Sequence, residues 1–255
     1  MAKKIPSIKE LRKQLQSIKR RENLTWVGRI CNFLSIYVTR VLILTPITAN
    51  QVTFLMFLSG LLSGIFFATG KYVYVLVGLL FFHLYGILDW SDGEVARYRG
   101  IFSPKGGYAD YMIHIIVNPL IIMGMALGGF FNNPLPIPNY VFLIAGFSGA
   151  FFYMINHFDR LKKYEMYIDK GQIKVLLKLQ KRYKNLKDNS LKKKLSTFFR
   201  LQEFGAVLFF GVFNLLPYLV LIYSVVLPIM ALSRLYLEYQ KTETEVKPGD
   251  LDNKY

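Results

Sequence analysis

The chain has 255 residues, of which 53% are hydrophobic and 16% aromatic, and its mean hydropathy is +0.31. That balance excludes an ordinary water-soluble domain and points to a membrane protein. The formal net charge of +16 does not imply nucleic-acid binding: the Lys and Arg residues gather in the N-terminal arm and one loop, where bilayer orientation and anionic headgroups account for them.

Residues 7 to 22 read as an amphipathic helix. Ser7 and Glu10 have capping-box spacing, and Ile8, Leu11, Leu15 and Ile18 recur on one face opposite Lys and Arg. Such a helix lies on a membrane surface. Residues 25 to 46 mix Arg29 and Arg40 with apolar residues, so a second interfacial helix is expected, ended by Pro46. The lone cysteine, Cys31, excludes an internal disulfide and reads as packing. The charged first two dozen residues lack the apolar core of a cleavable signal, so the first span is expected to direct its own insertion.

Six runs then reach the roughly 20 residues needed to cross about 30 Å of hydrocarbon. They lie near 49–69, 72–96, 107–131, 138–157, 200–217 and 218–240. Only Asn214 to Pro217 separates the last two, which predicts a hairpin with a tight turn. The fold class is therefore all-α: a polytopic membrane helix bundle with six transmembrane helices, preceded by N-terminal amphipathic surface helices.

Charges between the spans set the orientation. Lys71 is the only charge in the first outer connection, and Asn132 to Pro138 carries none. The alternate connections hold Arg97, Arg99 and Lys105, and then a basic stretch from Arg160 to Arg200 with its own helical pattern at Ile173, Leu176, Leu177 and Leu179. Both termini are thus expected in the cytoplasm. The division is 1–47 interfacial helices, 48–241 membrane domain including the basic cytoplasmic loop 158–199, and 242–255 polar tail.

The chemistry lies where the second span ends and the third begins. Asp89 and Asp92 are three apart on one helix face; Gly106, Asp110 and His114 are successively four apart on another. Two antiparallel helices can bring these faces together near the cytoplasmic rim. Three carboxylates facing lipid would cost about 8 to 10 kcal/mol on insertion scales, so they must face each other or something cationic. Divalent cations relieve their repulsion, and oxygen-rich ligand sets suit Mg2+, Mn2+ or Ca2+. A two-metal site fits phosphoryl transfer; Gly93 and Gly106 let a phosphate approach the backbone, and Arg97 can bind a diphosphate through its planar fork.

The pattern DxxDGxxAR, eight residues, then GxxxDxxxD resembles the signature of the CDP-alcohol phosphotransferases (CDP-alcohol phosphatidyltransferases). It is matched at Asp89, Asp92, Gly93, Ala96, Arg97, Gly106 and Asp110. Thr48 to Thr53, with Asn50, is similar to the family's segment at the start of its first span, although Ala49 stands where proline is usual. The resemblance implies two divalent cations, Mg2+ or Mn2+, held by Asp89, Asp92, Asp110 and the last motif position, with substrate bound by Asn50, Gly93, Ala96, Arg97 and Gly106. It implies a CDP-linked lipid or alcohol donor, with CDP-diacylglycerol expected, and an alcohol acceptor. Release of CMP, in phospholipid biosynthesis, is expected, and a prokaryotic cell membrane is expected rather than the endoplasmic reticulum. A homodimer is compatible with it; the acceptor is left open.

The last motif position is His114 instead of aspartate. Three readings are open: imidazole replaces the carboxylate as general base or instead as metal ligand, the chain is an inactive relative, or His114 only packs and another group or water handles the proton. A cation-translocating membrane protein is the rival from another class. His83 is either functional or a neutral bonded histidine, and Glu94 is read as solvated or paired with Arg. His157, Asp159, Arg160, Arg200, Gln202 and Glu203 read as an interfacial charge belt, with a phosphate pocket as the alternative.

Overall fold

The computed structural model describes residues 6–16, 26–101, 104–169 and 205–244, and all regular structure among them is helical. The helices are α1 (Ile8–Leu15), α2 (Trp26–Leu42), α3 (Ala49–Ala68), α4 (Tyr72–Arg99), α5 (Pro104–Phe131), α6 (Tyr140–Asp169), α7 (Gly205–Val212) and α8 (Leu216–Thr244). Five of them, α3, α4, α5, α6 and α8, are long and apolar enough to cross a membrane. The fifth predicted span, 200–217, is described only as the eight residues of α7; its first turns and the helical pattern of the basic loop lie outside the described residues.

Local chemistry explains the helix ends. The Ser7 hydroxyl accepts from the Glu10 amide and the Glu10 carboxylate accepts from the Ser7 amide, so the expected capping box forms; its helix is described to Leu15, and residues 17–25 are not described. Thr48 and Gln51 make a second box that starts α3. Asn214, at φ 58°, turns the chain between α7 and α8, within the stretch expected to do so. α4 and α6 continue past the predicted 96 and 157, because a helix does not stop where its apolar pattern stops.

α5 is central, packed on α3, α6 and α8, while α4 lies between α3 and α2. Phe82, Tyr85, Val117, Ile121, Ile122, Met125, Leu219 and Tyr223 fill the interior. Outward-facing positions are also apolar: Phe54, Ile65, Leu80, Phe147 and Ile229 are 57%, 61%, 72%, 66% and 61% exposed. Such a surface is tolerable only against lipid tails.

Helix contact here depends on small residues. Gly60 and Gly64 of α3 face α5, where Gly124 and Gly128 repeat the same four-residue spacing. A Cβ on Gly124 would collide with the Gly64 carbonyl oxygen, so the two backbones meet with nothing between them. α4, at 28 residues, is about 42 Å long and exceeds a hydrocarbon core by two turns or more. Its last turns, which carry the acidic motif, therefore reach the membrane rim.

Candidate active site

Asp89 and Tyr85, four apart, share one face of α4, and His114 of α5 is wedged between them. Its Nε2 lies 3.0 Å from Asp89 Oδ1 and 3.6 Å from Asp110 Oδ1, while Nδ1 lies 2.5 Å from the Tyr85 hydroxyl. Both ring nitrogens thus have partners, and the tautomer decides which of them donates. Asp89, Asp110 and His114 each offer one ligand atom, all within 4.8 Å of one another. Two carboxylates and an imidazole are a donor set that can hold a divalent cation. The residues fit such an ion.

Asp92 stands one turn further along α4 and does not join this group. It is buried, and its Oδ2 accepts from the Thr53 hydroxyl at 2.9 Å. It lines instead a cavity of about 420 Å³ with Asp110, bordered by Thr48, Asn50, Thr53, Gly93, Ala96, Arg97 and Gly106. Asp110 thus belongs to both the cluster and the cavity.

The five residues expected to bind substrate, Asn50, Gly93, Ala96, Arg97 and Gly106, therefore border one space. At Gly93 the reason for glycine is nearer than a phosphate. The Arg97 guanidinium folds back across it, and a Cβ there would stand 3.1 Å from NH1 and 3.6 Å from NH2. Arg99 donates to the Thr45 carbonyl at 2.7 Å, holding the α2 to α3 turn beside the cavity.

Sequence reasoning missed Tyr85, Thr53 and Arg99. Tyr85 was detectable in principle, since it lies four residues before Asp89 on the same face. Glu94 corrects an expectation: it is neither solvated nor, among the described residues, paired with a cation, but wholly buried and hydrogen-bonded by Gln16, Ser35 and Thr39. His83 bonds the Leu79 carbonyl of its own helix at 2.7 Å and stands outside both cluster and cavity. His157 turns inward, stacked on Tyr153 with centroids 4.5 Å apart. The side chains of Asp159 and Arg160, and all of Arg200, Gln202 and Glu203, lie outside the described residues.

The described residues thus form a helical membrane protein with an acidic cluster beside an arginine-bordered cavity. The chain belongs to the CDP-alcohol phosphatidyltransferase family, whose sequence pattern matches residues 46–233. That family transfers phosphate-linked groups between CDP-linked donors and alcohols in membranes. Over 84 residues the chain is 36% identical to a bifunctional IPC transferase and DIPP synthase of Rubrobacter xylanophilus. The match covers 33% of this chain and 19% of that relative, so the chain spans about a fifth of the length of the curated relative it matches.

Proposed function

We propose that the protein transfers a substituted phosphate, the phosphatidyl group of CDP-diacylglycerol, to an alcohol and releases CMP. The observation that supports this reading most is the shared position of Asp110. It borders the cavity with Gly93, Ala96 and Arg97 and also sits within ligand distance of Asp89 and His114. A diphosphate in the cavity would meet the Arg97 guanidinium at one end and the acidic cluster at the other.

Asp89, Asp110 and His114 would hold one divalent cation, Mg2+ or Mn2+, and Asp92 with Asp110 would hold a second. Bound there, the cations supply Lewis acidity and neutralise charge on the diphosphate. The remaining work falls to side chains. Arg97 orients the diphosphate through paired N–H groups, and Asn50, at the start of α3, borders the nucleotide. The acceptor oxygen attacks the phosphorus that carries the alcohol group, the bond to the CMP oxygen breaks, and the acceptor proton must leave.

His114 Nε2, with one lone pair to offer toward Asp89 and Asp110, either ligates the cation or takes that proton, and where it is a ligand a water takes the proton. With a cation among Asp89, Asp110 and His114, the ring proton would sit on Nδ1, directed to the Tyr85 oxygen, and the Nε2 lone pair would face the cation; without one, Nε2–H donates to Asp89. No covalent intermediate is needed. The N and C termini lie in the cytoplasm and the membrane is that of a prokaryotic cell; a dimer is compatible with this scheme. Purified protein incubated with CDP-diacylglycerol, Mg2+ or Mn2+ and a panel of alcohols should release CMP with at least one acceptor. No release with any acceptor, in the presence of tight CDP binding, would leave an inactive relative as the correct reading.

A further inference from the structure

Glu94 lies within the acidic motif but faces away from its cavity. Its Oε1 accepts from Gln16 Nε2 at 2.7 Å and from Ser35 Oγ at 2.9 Å, and its Oε2 from Thr39 Oγ1 at 2.7 Å. Gln16 caps the end of α1, and Ser35 and Thr39, four apart, share a face of α2. The Gln16 amide also donates to the Asn32 carbonyl at 2.7 Å, so one side chain ties α1 to both α2 and α4. Beside this junction Leu11, Leu15 and Ile36 form an apolar cluster of their own against Tyr98 of α4.

An ionised carboxylate buried without a cation is unfavourable unless its lone pairs are filled, and an apolar side chain would pack the same three helices together. What three converging donors add is angle. Rotating α4 by one residue turns it about 100°, which would strand Gln16, Ser35 and Thr39 and carry Gly93, Ala96 and Arg97 off the cavity wall together. Glu94 is adjacent in sequence to Gly93 and two residues from Ala96, so little slack separates the anchor from the wall it sets.

We propose that Glu94 is a positioning residue through which the N-terminal arm fixes the rotation of the motif helix, making α1 and α2 part of the donor-binding unit as well as its surface anchor. This rests on the reading of the cavity as the donor site. CDP binding in the presence of Mn2+ is measured on the full-length protein in detergent for the wild type, Glu94→Ala, Glu94→Gln and Gln16→Ala, with trypsin cleavage at Lys9, Arg12 and Lys13 followed in parallel.

Glu94→Ala and Gln16→Ala are expected to weaken CDP binding roughly tenfold and to speed cleavage in α1. Glu94→Gln should bind CDP as the wild type does, because its oxygen still accepts from Gln16 and its amide donates to the Thr39 hydroxyl. If Glu94→Ala does not fold, Gln16→Ala, which alters only the arm, gives the answer. Wild-type CDP affinity in Gln16→Ala or Glu94→Ala, with or without faster cleavage, overturns the positioning role and leaves the donor site standing. A wild type that binds no CDP overturns the donor site and the positioning role with it.

Discussion

The guanidinium of Arg97 lies across Gly93, with NH1 3.1 Å from the point a Cβ would occupy. The arginine is thus held over the helix backbone beside the cavity instead of extending into solvent. Gly93→Ala should therefore separate two effects. In a helix interior alanine is favoured over glycine by about 0.5–1 kcal/mol, and the guanidinium tip can swing aside, so thermal stability should hold or rise slightly. Displacing Arg97 should weaken CDP binding roughly tenfold. Nucleotide titration and thermal unfolding on the same preparation check both; a lower melting temperature with unchanged CDP affinity would refute the argument.

Spacing within single helices made the site legible. Asp89 with Asp92, and Gly106 with Asp110 and His114, are related by helical periodicity alone, but the structure parts them, Asp89 and His114 joining Asp110 in the cluster and Asp92 and Gly106 joining it at the cavity. Ser7 with Glu10 is equally local, and its capping box forms. Glu94 was misread because its burial comes from residues 55 to 78 positions earlier in the chain, and nothing in its neighbourhood announces three hydroxyl and amide donors. The glycine pairs 60 and 64, and 124 and 128, are plain as spacings, but that Gly64 and Gly124 meet is a fact of helix packing. Tyr85 reads as one more interfacial aromatic until His114 is placed against it.

Gly124→Ala tests the closeness of α3 and α5. The atom in the way is the Gly64 backbone carbonyl, which cannot rotate aside as a side chain can, so the helices must separate. A loss of about 1–3 kcal/mol is expected, as for overpacking in a filled core. Gly107→Ala, where no neighbour lies within 4 Å, should change stability by less than about 0.5 kcal/mol. Thermal unfolding of the two variants in the same detergent gives the comparison, and equal melting temperatures would contradict the packing described.

Cys31, on the buried face of α2, has its thiol pushed from 9.0 to about 11, chiefly by burial and secondarily by the negative charge of Asp89. The folded state therefore keeps this proton at pH values where the unfolded state loses it. The associated stability is complete below pH 9 and is lost as pH rises through 11, amounting to at most about 3 kcal/mol. Iodoacetamide should label the folded protein slowly at pH 8 and the denatured protein quickly. Between pH 9 and 11 the wild type should lose more stability than Cys31→Ala; parallel curves would show that the thiol is not protected.

The hydroxyl of Tyr85 and the ring of His114 should act as a pair. Removing the hydroxyl frees Nδ1 and loosens the ring that presents Nε2 to Asp89 and Asp110. Loss of an outer partner of a ligating histidine typically weakens metal binding 10- to 100-fold, so Tyr85→Phe should lower Mn2+ affinity in calorimetry by roughly that factor. His114→Asp replaces imidazole with a harder oxygen donor and should move the preference from Mn2+ toward Mg2+. In that background no ring nitrogen remains for the hydroxyl to hold, and adding Tyr85→Phe should change Mn2+ affinity by less than about twofold. Additive losses in the double variant would mean that Tyr85 supports the bundle and not the ring, and equal metal preference in wild type and His114→Asp would remove His114 from the site.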